Sequence, residues 1–107
     1  MTRTTITNPA DLISEREWQQ TVEGLLTLYG WRWYHTHDSR RSVAGFPDIF
    51  ATKGVRAIAL ELKSEAGKPT AAQSAWLDAL EATGIWCHVV YPSGRRELEA
   101  MLREDYP

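Results

Sequence analysis

The stretch that most constrains the fold runs from Gly45 to Lys63, GFPDIFATKGVRAIALELK. Two apolar runs, DIFAT and VRAIALELK, flank Lys53-Gly54, a pair suited to a short turn, so the runs pair as an antiparallel hairpin. A hairpin lays the start of one strand beside the end of the next, which makes Asp48 and Glu61 neighbours at one end of a sheet. Glu61 and Lys63 are two residues apart and share a face. Charges on a half-buried strand are costly without partners, and two carboxylates in contact stay ionised together at neutral pH only with a cation between them. Hard oxygen donors suit Mg2+ or Mn2+, which take few protein carboxylates and keep several waters. Such an ion acidifies a water and stabilises charge on a phosphoryl oxygen, while a nearby ammonium holds the water or the phosphate. The pattern therefore points to metal-assisted phosphodiester hydrolysis. The competing reading is a surface salt-bridge cluster at a strand end.

With 107 residues, 43% apolar and 24% charged, the chain is expected to be one globular domain, residues 1–107, with a single core and an N-terminal arm over 1–13. Its apolar runs are short and MTRTTITNPADL has no signal-like core, so a cytoplasmic setting, in a bacterial or phage-infected cell, is expected. The lone Cys87 lies in an apolar segment and reads as core. A net charge of -2 does not in itself suggest a polyanion ligand. Local clustering does: from Gly30 to Thr70 seven basic residues (Arg32, Arg40, Arg41, Lys53, Arg56, Lys63, Lys68) stand against four acids (Asp38, Asp48, Glu61, Glu65). Neutralising Asp48 and Glu61 with a metal would leave that segment strongly positive.

Along the chain, SERE at 14–17 forms a capping box in which Ser14 caps a helix and Glu17 reaches back to it. The helix is predicted to reach about Tyr29, with Trp18, Val22, Leu25, Leu26 and Tyr29 at helical spacing and Gly30 as its stop. WRWYHT alternates as a strand, HDSRRSVAGFP is a polar loop, and the hairpin follows. After the SEAGKP loop come a helix over Thr70 to Thr83, a strand IWCHVVY, a turn at Pro92 to Gly94 and a closing amphipathic helix RRELEAMLRE. The order is α-β-β-β-α-β-α, an α/β fold with helices covering a mixed central sheet.

GFPD followed thirteen residues on by E-x-K, here Asp48 and Glu61-Leu62-Lys63, with KPTAAQSAW downstream and a helix-first order of elements, resembles the PD-(D/E)XK nuclease superfamily. Within it the chain resembles the virus-type replication-repair nuclease (VRR-NUC) domain over about Ser14 to Val90. The resemblance implies a restriction-endonuclease-like core and a Mg2+ or Mn2+-dependent DNA endonuclease of replication, repair or recombination. Asp48 and Glu61 would ligate the metal, with the backbone carbonyl of Leu62 as a further candidate, and Lys63 would position the attacking water. Gln73 matches the glutamine that follows the E-x-K lysine on the next helix. The resemblance also implies a metal-liganding glutamate on the first helix. Of the two available, Glu15 lies one turn before Trp18 and two before Val22, on the inward stripe, whereas capping already explains Glu17. Small stand-alone members of this family resemble Holliday junction resolvases, and a homodimer would match a two-fold branched substrate.

The loop before GFPD supplies His37, Ser39, Arg40 and Arg41, and the loop after the hairpin Lys68; beside the metal they would hold DNA phosphates, unless the first loop is merely solvated. His35 and His37 share a strand face and with Asp38 or His88 could in principle make a zinc site, but two histidines with no well-spaced third or fourth ligand read rather as polar strand and loop residues. The five tryptophans read mainly as core, Trp18 and Trp76 on inward helix faces and Trp86 in an apolar strand. Trp31 and Trp33 oppose Arg32 and Tyr34 across the first strand, so one pair is covered and the other outward. A DNA-binding module that keeps the fold without turnover, and a scaffold with no nucleic-acid role, are the alternatives to the nuclease.

Overall fold

A computed structural model describes residues 9–36 and 43–104. Three α-helices, α1 (Glu15–Leu28), α2 (Ala71–Glu81) and α3 (Arg95–Arg103), surround four strands, β1 (Arg32–His35), β2 (Ile49–Lys53), β3 (Arg56–Leu62) and β4 (Trp86–Val90). The strands lie in the order β1-β2-β3-β4. The first two pairings are antiparallel and β3 runs parallel to β4, as expected where a helix, here α2, makes the crossover. The α/β architecture with a mixed sheet follows the predicted element order. No helix among the described residues is long and apolar enough to cross a membrane.

The hairpin register fixes the geometry on which the site depends. Ile49 pairs with Leu60 and Lys53 with Arg56 across the Gly54 turn, so the same register carried one step further sets Asp48 opposite Glu61. Gly54 has φ 60, the left-handed conformation such turns require.

Both faces of β3 are covered, so its burial does not alternate: every residue from Ile58 to Leu62 is buried, the signature of a central strand between helical layers. On one face Ile58, Leu60 and Leu62 pack with Trp18, Val22 and Leu26 of α1 and Leu98 and Leu102 of α3. On the other, Ala59 packs with Leu77 of α2 and with Cys87; the small alanine allows α2 to approach. Two indole N–H groups tie the layers, Trp18 donating to the Val90 carbonyl and Trp31 to that of Leu102, each at 2.9 Å. Both bonds are buried, where an unpaired indole N–H would be costly.

Several expectations change. The end of the N-terminal arm forms a 3-10 turn, Pro9–Leu12, followed by Ile13 packed on the core. Trp76 is only half-buried, because its partner is the edge of Phe46, with ring centroids 5.1 Å apart, rather than the sheet. Trp86 is also half-buried and stacks on His88 at 4.2 Å. Cys87 is a buried free thiol, as expected.

Candidate functional site at the open end of the β2-β3 hairpin

Asp48 is held at both of its ends. Its carbonyl accepts the Thr36 N–H at 2.8 Å and lies 3.1 Å from His35 Nδ1, while its carboxylate Oδ2 accepts the Leu62 N–H at 2.8 Å. The preceding Pro47 carbonyl accepts the Thr36 hydroxyl at 2.6 Å. Strands on either side thus fix the acid's position before any ligand arrives, the preorganisation that a metal or catalytic group needs.

Glu61 stands beside it in the opposite condition. It is 1% exposed, yet when ionised neither carboxylate oxygen has a hydrogen-bond partner among the described residues. Buried carboxylates are normally satisfied, and Lys63 Nζ stands 3.9 Å from Glu61 Oε2, beyond hydrogen-bond distance. Burial, then the charge of Asp48, a hydrogen bond that the protonated acid makes to the Asp48 carboxylate, and to a lesser extent the charge of Glu15 push Glu61 up to about 8, with Lys63 opposing. Two orphaned oxygens next to a fixed carboxylate fit a hard divalent cation, which asks for few protein carboxylates and completes its shell with water. Among the described residues no three His, Cys, Asp and Glu side chains already converge as a ligand set, so the fit rests on this pair.

The pH dependence follows. A free glutamate ionises near 4.5 and Glu61 in the folded protein near 8, so the folded state holds the extra proton throughout that window. Metal-free protein is therefore expected to be most stable below about pH 4.5 with respect to this group and to lose that stability as pH rises through 8. The change is at most about 5 kcal/mol. Urea unfolding from pH 5 to 9 measures it, and millimolar Mn2+ should flatten the slope by favouring the ionised form.

The remaining predicted residues are distributed unevenly. Lys63 is 15% exposed and its stem lies 3.3 Å from where a Cβ on Gly67 would sit, so the turn after β3 closes over it. Leu62 buries its side chain in the core and gives its N–H to Asp48. Glu15 is exposed rather than inward; it belongs to the first turn of α1, and the first buried residue of that helix is Trp18. Its charge nonetheless reaches Glu61. Glu17 caps α1 with Ser14, as predicted. Gln73 closes a second capping box: Thr70 Oγ1 accepts its N–H at 3.2 Å and its Oε1 accepts the Thr70 N–H at 2.8 Å. That T-x-x-Q signal was legible in the sequence. The carboxamide oxygen is thus committed to the cap, and the amide nitrogen is the group it can offer a ligand. Lys68 is exposed in the loop before α2. His37, Ser39, Arg40 and Arg41 lie outside the described residues. His35 and His88 stand on β1 and β4, the two edge strands, so they cannot share a zinc ion.

Sequence reasoning did not single out Gly45. It sits at φ 88, and a Cβ there would lie 2.5 Å from the Ala72 carbonyl carbon and 2.6 Å from its oxygen. The loop carrying Asp48 therefore seats directly on the first turn of α2, which its Gly-Phe-Pro lead-in alone could have suggested.

No family model, no curated protein and no solved structure matches this chain.

Proposed function

We propose that the chain is a divalent-metal-dependent DNA endonuclease of the PD-(D/E)XK type, similar to VRR-NUC domains and acting on branched DNA. The observation that carries this reading is Glu61, buried and, when ionised, with no partner for either oxygen among the described residues, beside a preorganised Asp48. Such an arrangement is costly as pure structure and is relieved by a cation.

In this reading Asp48 and Glu61 hold Mg2+ or Mn2+, and Glu15 adds negative charge from the start of α1, directly or through water. When bound, the ion supplies positive charge to phosphoryl oxygens and acidity to an attacking water. Lys63, anchored near Glu61, orients that water and stabilises negative charge developing on the phosphate. The amide nitrogen of Gln73 is a further donor for water or phosphate. Arg40, Arg41, His37, Ser39 and Lys68 are the proposed phosphate contacts. A two-fold dimer would set two such sites across a junction; sedimentation as a monomer both free and on junction DNA would count against that part. The proposed setting is the cytoplasm of a bacterial or phage-infected cell, where replication and repair intermediates arise.

The test is cleavage of labelled four-way junction, flap, single-stranded and linear duplex DNA with Mn2+, Mg2+ or EDTA. Cutting is expected only with metal, and Lys63→Ala is expected to lower its rate by about a hundredfold or more. Wild-type-level cutting by Lys63→Ala would remove the named mechanism. Salt-sensitive binding without cutting of any form would favour the DNA-binding module instead.

A further inference from the structure

We infer that Glu65 is a positioning residue for Lys63: it fastens the turn after β3 to the turn after β4, which keeps the first turn seated on the lysine stem and so fixes where the ammonium stands. This rests on the nuclease reading and assigns what holds one of its proposed groups in place.

A lysine asked to orient a water needs such support. Its ammonium ends a flexible four-carbon stem, and a small misplacement of a reacting group is costly in rate. Glu61 does not hold it by a hydrogen bond, since Lys63 Nζ stands 3.9 Å from Glu61 Oε2. The root of the side chain is fixed, because the Lys63 N–H donates to the Val90 carbonyl at 3.2 Å. The stem is confined by packing, and Lys63 is only 15% exposed. What lies on it is the turn from Ser64 to Gly67, closed by the Gly67 N–H donating to the Ser64 carbonyl at 2.9 Å. A Cβ on Gly67 would sit 3.3 Å from Lys63 Cδ and 3.4 Å from Lys63 Cβ, so the backbone of the turn rests directly against the stem.

One hydrogen bond within a surface turn does not keep it seated. The second attachment is the Glu65 side chain, whose Oε1 accepts the Ser93 N–H at 2.6 Å. Ser93 belongs to the 3-10 turn Pro92–Gly94 at the exit of β4. That turn is firm: Pro92 is buried, and the Gly94 N–H donates to the Tyr91 carbonyl at 2.9 Å. It is also in register with the site, because Leu62 pairs with Val90 where β3 and β4 end side by side. The covering turn is therefore tied at one side to its own start and at the other to the neighbouring strand's exit. An ionised acceptor makes the second tie short and strong. The geometry asks only for an acceptor oxygen at the end of a side chain of this length, which a glutamine also supplies.

The experiment applies two readouts to the full chain as wild type, Glu65→Ala and Glu65→Gln. In single-turnover cleavage with Mn2+, on the DNA form that wild type cuts, Glu65→Ala is expected to be about ten- to a hundredfold slower. Its Mn2+ affinity, and its DNA affinity in Ca2+, should match wild type, and Glu65→Gln should recover most of the rate. In timed reductive methylation of the metal-free protein, read by mass spectrometry, Lys63 is expected to react several times faster in Glu65→Ala than in the other two proteins. Lys53, at the far end of the hairpin, is the internal reference and should not change. Equal methylation of Lys63 in all three proteins, full-speed cleavage by Glu65→Ala, or a Glu65→Gln variant as slow as Glu65→Ala would overturn the assignment. So would loss of Mn2+ binding in Glu65→Ala, which would mark a general loosening of the site. The methylation readout needs no cleavage, so the two readings fail separately. Faster Lys63 methylation in Glu65→Ala of a protein that cuts nothing keeps the positioning role and removes the nuclease; metal-dependent cutting with no Glu65 dependence does the reverse.

Discussion

Glu61→Gln is expected to reduce metal-dependent cleavage by about a thousandfold or more while making the metal-free protein more stable above pH 8. The two effects arise from one cause. The carboxylate that a cation needs is one the metal-free protein tolerates poorly, because it is 1% exposed, has no partner among the described residues when ionised and faces Asp48. Gln keeps the shape and removes the charge. At pH 9 the wild-type side chain is ionised in the folded state and bears its full desolvation cost. The amide bears only the smaller cost of unpaired polar atoms, about 1–3 kcal/mol. The net gain at pH 9 is at most about 2–4 kcal/mol, and at pH 5, where wild-type Glu61 is protonated, it should vanish or reverse. Paired urea melts at the two pH values, with cleavage assays on the same preparations, check both halves. A variant that still cuts and is less stable at pH 9 would show that Glu61 is an ordinary structural acid.

Gly45→Ala is expected to be the most damaging small substitution outside the acidic pair. The residue has positive φ, and its added methyl would lie 2.5 to 2.8 Å from three Ala72 atoms, two of them backbone. Backbone at the start of a capped helix cannot swing aside as a side chain does. The left-handed conformation costs about 1–2 kcal/mol for a residue with a Cβ, and displacing the loop from α2 adds to it. A total loss of about 2–4 kcal/mol is expected. Because Asp48 follows three residues later, activity should fall at least tenfold even under conditions where the variant is folded. Gly54→Ala is the control: φ is also positive there, but nothing lies within 4 Å of the added carbon, so only the conformational cost applies and activity should survive. Thermal melts and cleavage rates of the pair check the contrast; equal behaviour of the two variants would mean that contact with Ala72 does not position the loop.

The legible parts of this protein were those set by local rules. The hairpin could be read because Lys53-Gly54 fixes a register, and register alone carries Asp48 to Glu61. The first capping box could be read because Ser14 and Glu17 satisfy each other within one turn. The inward placement of Glu15 went wrong because helical angle gives a side chain's direction around the axis but not whether core lies beneath it. At the first turn of α1 it does not, and burial starts at Trp18. Trp76 went wrong for a related reason: its partner is Phe46, thirty residues earlier in a loop, a contact that no periodicity encodes. Gln73 was assigned to the site through the resemblance while its local role, a second capping box with Thr70, went unread.

Calorimetric titration of Mn2+ into wild-type protein and Glu61→Gln at pH 7 tests the central claim most directly. The account predicts saturable binding to the wild type and an affinity at least about a hundredfold lower in the variant, whose fold is checked by circular dichroism. Equal affinity in the two proteins, or no binding to the wild type at millimolar Mn2+, would contradict the assignment of Asp48 and Glu61 as a metal site.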